Sequence, residues 1–127
     1  MIVVDSSAAL SALLHAGPAR QLLGQEQIHA PHLIDVEIAS VLRRGALGGE
    51  WTTARGGRTL KAWGQLGVTR YGTHTLLPRI WQLRDNLTAY DAAYVALAEA
   101  LECVLVTADG RVGRSSGARC PITVVPW

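Results

Sequence analysis

Short apolar runs alternate with longer segments of helical periodicity along the whole chain. Ile2-Val3-Val4 reads as a buried strand, and Ser6 to His15 as the helix that follows it. Arg20 to Leu23 adds a short helix behind Gly17-Pro18, and Gln27-Ile28-His29-Ala30 a second strand closed by Pro31. His32 to Arg44 is amphipathic, with Ile34, Ile38, Val41 and Leu42 on one stripe. A polar helix is expected over Thr52 to Leu66, although Gly56-Gly57 weakens it. Val68 to Tyr71 suggests a strand, followed by helices over His74 to Arg84 and Ala89 to Leu101. Cys103 to Val106 forms an apolar strand, Ala108 to Arg114 a short helix or turn, and Ile122 to Val125 a last strand.

Repeated strand–helix–strand units predict an α/β fold with a parallel sheet covered on both faces. In such sheets ligands gather beyond the carboxyl ends of the strands. Two acids fall there: Asp5 directly after the first strand, and Asp109 just past Val104-Leu105-Val106-Thr107. Glu37 falls on the apolar side of its helix, one turn from Ile34 and Ile38, where a charge is costly unless paired or bound to a metal. Asp91 opens a helix that is apolar nearly all round, so only its N-terminus reaches a cleft.

Each acid also has a plain structural role open to it. Asp5 suits a helix N-cap, Thr88-Ala89-Tyr90-Asp91 resembles a capping box, Asp109-Gly110 is a common turn pair, and Glu37 could meet a buried arginine. The other acids need less: Asp35 favours the first turn of its helix, and Glu26, Glu50, Asp85, Glu99 and Glu102 suit a solvated surface.

Composition narrows the classes. The 127 residues suit a single domain, and 49% hydrophobic content allows a substantial core. No run approaches the roughly 20 apolar residues of a membrane helix, and no secretory signal opens the chain, so a cytoplasmic location is expected. Cys103 and Cys120 lack metal-ligand spacing and read as thiols in a reducing compartment. The histidines at 15, 29, 32 and 74 show no paired spacing and read as surface or loop residues. Lys61 is the only lysine among twelve basic residues; arginine suits phosphate and bases, and it also marks a GC-rich genome. A carboxylate cluster without His or Cys offers hard oxygen ligands, favouring Mg²⁺, with Mn²⁺ as a substitute, for hydrolysis of a phosphodiester.

Leu87-Thr88-Ala89-Tyr90-Asp91-Ala92-Ala93-Tyr94-Val95-Ala96-Leu97-Ala98-Glu99 strongly resembles the PIN-domain family, and more narrowly the VapC toxins of toxin–antitoxin pairs. Val4-Asp5-Ser6-Ser7, Asp35 to Arg44 and Leu105 to Asp109 match the family's other acidic motifs in order. The resemblance implies an α/β/α sandwich, a Mg²⁺-dependent endoribonuclease acting on structured RNA such as tRNA or rRNA, a homodimer, and a VapB-type antitoxin that blocks the cleft. It also implies that Asp5 and Asp91 are the chief metal ligands, completed by Glu37 and Asp109, with Ser6 and Thr107 as hydroxyl supports. Where many relatives carry a further acid, Gly110-Arg111-Val112-Gly113 has none, which fits one firmly held ion and a second recruited with RNA.

Arg43, Arg44, Arg55, Arg58 and Lys61 form a basic arm expected to contact RNA phosphates, with Trp51 and Trp63 placed to stack on bases. Two other α/β classes fit poorly: a phosphoacceptor receiver lacks its acidic pair and late lysine, and a dinucleotide-binding domain lacks G-x-G-x-x-G. A PIN-like module that binds RNA or a partner without cutting is the alternative, and a nuclease acting on DNA shares the same metal chemistry.

Overall fold

A computed structural model describes residues 1–127. Five parallel strands form one sheet in the order β3-β2-β1-β4-β5: β1 Ile2–Val4, β2 Ile28–Pro31, β3 Val68–Tyr71, β4 Val104–Thr107 and β5 Ile122–Val124. The helices are α1 Ser6–Leu14, α2 Pro18–Gln25, α3 Leu33–Leu47, α4 Thr53–Gln65, α5 Leu77–Gln82, α6 Ala89–Ala100 and the single turn α7 Gly110–Gly113. From β1 the chain steps outward through β2 to β3, then crosses back to β4 and β5. Right-handed crossovers in opposite directions put helices on opposite faces. Accordingly α1 packs with α2, α3 and α4, while α5 packs with α6. The α/β/α sandwich expected from the sequence is the observed architecture.

The central strands are buried along their length, as parallel strands covered on both faces must be. Ala92 to Ala98 on α6 are buried without interruption, and the four alanines among them let this helix lie close on β1, β2 and β4. Ile34, Ile38 and Leu42 form the buried stripe of α3, each worth about 1.5–3 kcal/mol when fully withdrawn from water.

Several boundaries differ from the sequence reading. The helix expected over His74 to Arg84 is a 3₁₀ turn, His74–Leu76, followed by α5, because Pro78 can occupy a first helical turn but cannot continue a helix through it. Pro18 likewise starts α2 two residues before Arg20. Helix α3 runs three residues past Arg44: Gly45 is no stop signal here, since it makes room for the Trp51 indole, which would lie 2.0 Å from an added Cβ. Strand β4 begins at Val104, one residue later than expected.

Asp35, read from the sequence as a first-turn acid, and Glu99, read as a solvated one, are both held in side-chain networks. Asp35 accepts a fork from Arg70 on β3, at 2.8 and 2.9 Å, and the Trp63 indole N–H at 2.7 Å. Glu99 on α6 takes Arg79 Nε and Nη2 at 2.7 and 3.1 Å, and the Arg119 backbone N–H at 2.7 Å. Arg79 Nη2 also reaches the Gly117 carbonyl at 2.7 Å, so the clamp fixes the loop that leads into β5. Cys103 and Cys120 are free thiols, and burial pushes Cys120 up to about 11.

Burial pushes the Glu99 carboxyl up, but the Arg79 guanidinium and the Arg119 N–H outweigh it and leave the group below its ordinary value. Its contribution to stability is therefore present above the unfolded-state pKa and lost as pH falls through the folded one. The side chain is 13% exposed, so Arg79→Ala is expected to cost about 2–3 kcal/mol near neutral pH. Urea denaturation should show that cost shrinking as pH falls through the folded pKa; a pH-independent cost would contradict the assignment.

Candidate active site

The chain leaves β1 in one direction and β4 in the other, although these strands are neighbours. A crevice therefore opens beyond their carboxyl ends. Asp5 is the first residue after β1 and caps α1. Its Oδ1 accepts the Ala8 N–H at 2.9 Å and the Ser7 hydroxyl at 2.7 Å, and its Oδ2 accepts the Thr107 hydroxyl at the end of β4. Ser7 Oγ in turn accepts the Ala108 N–H at 2.8 Å. Asp5 is thus both cap and site residue, and one buried carboxylate joins the ends of the two central strands. The Thr107 hydroxyl supports it from the end of β4. Ser6 lies instead beside Glu37, and Ser7 is the hydroxyl the sequence reading missed.

Glu37 comes from α3 on one face and Asp91 from the first turn of α6 on the other. Between them stands Tyr94, buried on α6 three residues after Asp91, whose hydroxyl donates to Glu37 Oε1. It was not singled out, although a tyrosine in a helix of alanines, on the same side as Asp91, signals a polar contact. Burial raises Asp5, Glu37 and Asp91 above their ordinary values, and each feels a neighbouring carboxylate: Asp91 acts on Asp5, Asp91 and Asp5 on Glu37, and Asp109 on Asp91. None of the three has an ion-pair partner in the protein. The apolar stripe thus hid no arginine for Glu37; its partner is a phenol.

Asp109 differs. It caps α7 and pairs with Arg111, which draws its carboxyl below the ordinary range despite partial burial. The turn role and the site-edge position coincide in this residue.

A cleft of about 440 Å³ adjoins the acids, lined by Ser6, Glu37, Ser40, Arg44 and Tyr90 among others. Of the basic arm, only Arg44 lines it; Arg43, Arg55, Arg58 and Lys61 are exposed along α3 and α4. The tryptophans cannot stack on bases as they stand. Trp63 is 1% exposed and bonded to Asp35, and Trp51 wedges between Gly45 and Gly56 with its indole N–H on the Leu42 carbonyl at 2.9 Å.

Three crowded carboxylates without a cation are a donor set for a hard divalent ion. As the side chains stand, no three ligands of this kind meet at one point. Asp5 is fastened to Ser7, Ala8 and Thr107, Glu37 to Tyr94, and Asp109 to Arg111. The chemistry of the donor set fits the ion, and convergence on one point requires a change of side-chain position.

The model of the PIN domain family matches residues 2–116. A VapC ribonuclease of Mycobacterium bovis is 60% identical over 126 residues, covering 99% of both chains. Among solved structures, PAE2754 from Pyrobaculum aerophilum superposes with a TM-score of 0.73 at 26% identity, over 95% of this chain and 81% of that one. VapBC2 from Rickettsia felis, solved bound to a DNA fragment from its promoter, gives 0.72 at 12% identity over 98% of each chain, a likeness of fold.

The raised carboxyls favour their protonated forms in the fold, and the stability this confers is lost as pH rises through the raised values. Glu37→Gln keeps the acceptor for Tyr94 and removes the charge. It is expected to raise Tm by about 2–4 °C at about pH 7.5 and to leave it unchanged at about pH 3, by calorimetry. No gain near neutrality would contradict the mutual repulsion of these acids.

Proposed function

The chain belongs to the PIN-domain family, as one of its VapC-type ribonucleases, and from that membership we propose a Mg²⁺-dependent endoribonuclease that serves as the toxin of a toxin–antitoxin pair. The observation that carries this reading is the trio Asp5, Glu37 and Asp91, buried or half-buried at the switch point of the sheet with no cation of the protein's own beside them. Structured RNA such as tRNA or rRNA is the proposed substrate. A VapB-type antitoxin that covers the cleft is the proposed partner, and the cytoplasm the proposed place of action. No helix is long and apolar enough to cross a membrane. Exposed Val36, Leu77, Trp81 and Tyr90 support a homodimer.

Asp5, Glu37 and Asp91 would hold the ion, with Asp109 at the edge of the acidic pocket. When bound, a divalent ion supplies the Lewis acidity that makes water a nucleophile near neutral pH. The protein's residues do the rest. Ser7, Thr107 and the Ala8 N–H hold the Asp5 carboxylate in place at the end of β1. Tyr94 holds Glu37 at the edge of the cleft, and Ser6 favours its charged form. The buried surroundings weaken solvent screening around the phosphodiester. In the reaction, an oxygen from water joins phosphorus and one P–O ester bond breaks. Arg44 lies along the cleft within reach of an adjacent phosphate, and the exposed basic arm extends that surface across α4.

Purified protein incubated with total bacterial RNA should cut it with Mg²⁺ or Mn²⁺ and stop with EDTA. Asp5→Asn and Asp91→Asn should each lower the rate by at least about 100-fold, the scale of losing a group that acts in the transition state. Cleavage that survives both chelation and substitution defeats the metal mechanism. Binding without any cleavage favours the non-cutting module.

The arm has its own test. Arg55→Ala combined with Arg58→Ala should reduce the slope of log affinity against log salt by about 1.4, as expected for two contacts to single-stranded phosphates. An unchanged slope removes these residues from the RNA surface.

A further inference from the structure

Arg111 stands in the short turn α7, which carries no further acid, and its side chain folds back on Asp109. Nη2 lies 3.0 Å from Asp109 Oδ2 and Nε 3.3 Å from Oδ1, while the Arg111 backbone N–H meets Oδ1 at 2.9 Å. Asp109 therefore has both oxygens engaged by one residue, whereas Asp5, Glu37 and Asp91 have no ion-pair partner. Asp109 follows β4 at the sheet edge that holds Asp5: its N–H donates to Thr107 Oγ1 at 3.0 Å, and the Thr107 hydroxyl donates to Asp5.

The guanidinium is held but not buried: the Arg111 side chain is 84% exposed and that of Asp109 26%. A guanidinium carries five N–H donors. Two point at Asp109, which leaves the others free on the solvent side. Their planar arrangement matches a phosphate in the bidentate manner that a lysine cannot reproduce. Orientation by a carboxylate on one edge and free donors on the other is the arrangement an anion-gripping arginine needs. It also removes one of the four negative charges that an incoming phosphate would otherwise meet.

We propose that Arg111 grips the phosphate to be cut, and that Asp109 is its positioning residue and not a ligand of the divalent ion. This rests on the ribonuclease reading above. It gives Asp109 a role that its pairing explains, and it assigns one ion to each chain, held by Asp5, Glu37 and Asp91.

The test has two arms on the full chain. In the first, Mn²⁺ binding is followed by the electron paramagnetic resonance of the free ion in wild type, Arg111→Ala and Asp109→Asn. In the second, single-turnover cleavage of total bacterial RNA is measured at saturating protein, with and without added ethylguanidinium. Both variants should bind Mn²⁺ within about twofold of wild type, and both should cleave about 10–100-fold more slowly, the scale of one lost charge-assisted contact. Ethylguanidinium should restore part of the rate to Arg111→Ala but not to Asp109→Asn, and the double variant should be no slower than either single one. The proposal is overturned if Asp109→Asn weakens Mn²⁺ binding tenfold or more while Arg111→Ala tightens it, because Asp109 is then a ligand and Arg111 its competitor. It is also overturned, alone, if wild type cuts RNA and Arg111→Ala cuts it equally fast. If wild type cuts no RNA at all, the ribonuclease reading falls and this assignment falls with it.

Discussion

A carboxylate buried between two central parallel strands is the constraint around which this molecule is arranged. Left without partners, the Asp5 side chain would cost several kcal/mol. The fold surrounds it with the Ser7 hydroxyl, the Ala8 N–H and the Thr107 hydroxyl, drawn from the start of α1 and the end of β4. These donors fix the register at which the two strands end and the angle at which α1 departs. They favour the charged form yet do not cancel the effect of burial, so the group stays above its ordinary pKa. No buried side-chain nitrogen or oxygen is left without a partner. What remains unbalanced at this edge of the sheet is charge, not hydrogen bonding.

That imbalance is graded across the pocket. Glu37 and Tyr94 connect α3 on one face to α6 on the other, so the position of one acid depends on how both helical layers sit. Asp91 is placed at the helix N-terminus, where the macrodipole partly offsets the cost of ionising a half-buried group. Asp109 is neutralised by Arg111 on the most exposed side. Negative charge is thus concentrated at the inner wall and relieved at the mouth. This suits a site that must attract a cation inward and still admit a polyanion.

Much of this was legible in the sequence because costly placements leave marks. An acid directly after an apolar strand, an acid on an apolar helical stripe and an acid opening a uniformly buried helix each stand out against their surroundings. The parallel sheet and the strand positions followed from the alternation of apolar runs with longer helical segments. What stayed hidden depended on pairings distant in sequence. Trp63 looked exposed because α4 is polar, yet Asp35, 28 residues earlier and itself paired with Arg70 35 residues on, accepts its indole N–H. Glu99 looked solvated until Arg79 and Arg119 closed on it. Ser7 and Tyr94 matter only because Asp5 and Glu37 are where they are, and no local pattern distinguishes them from a helix serine and a core tyrosine.

The hydrogen bond between Thr107 and Asp5 spans 102 positions of sequence, and β1 cannot pair with β4 until most of the chain exists. Closing so long a loop is entropically costly and belongs late in folding. A chain still emerging from the ribosome holds Asp5, Glu37 and even Asp91 without the strand that brings them to one edge. Assembly of the site therefore waits on β4 and on the contacts that close it against β1.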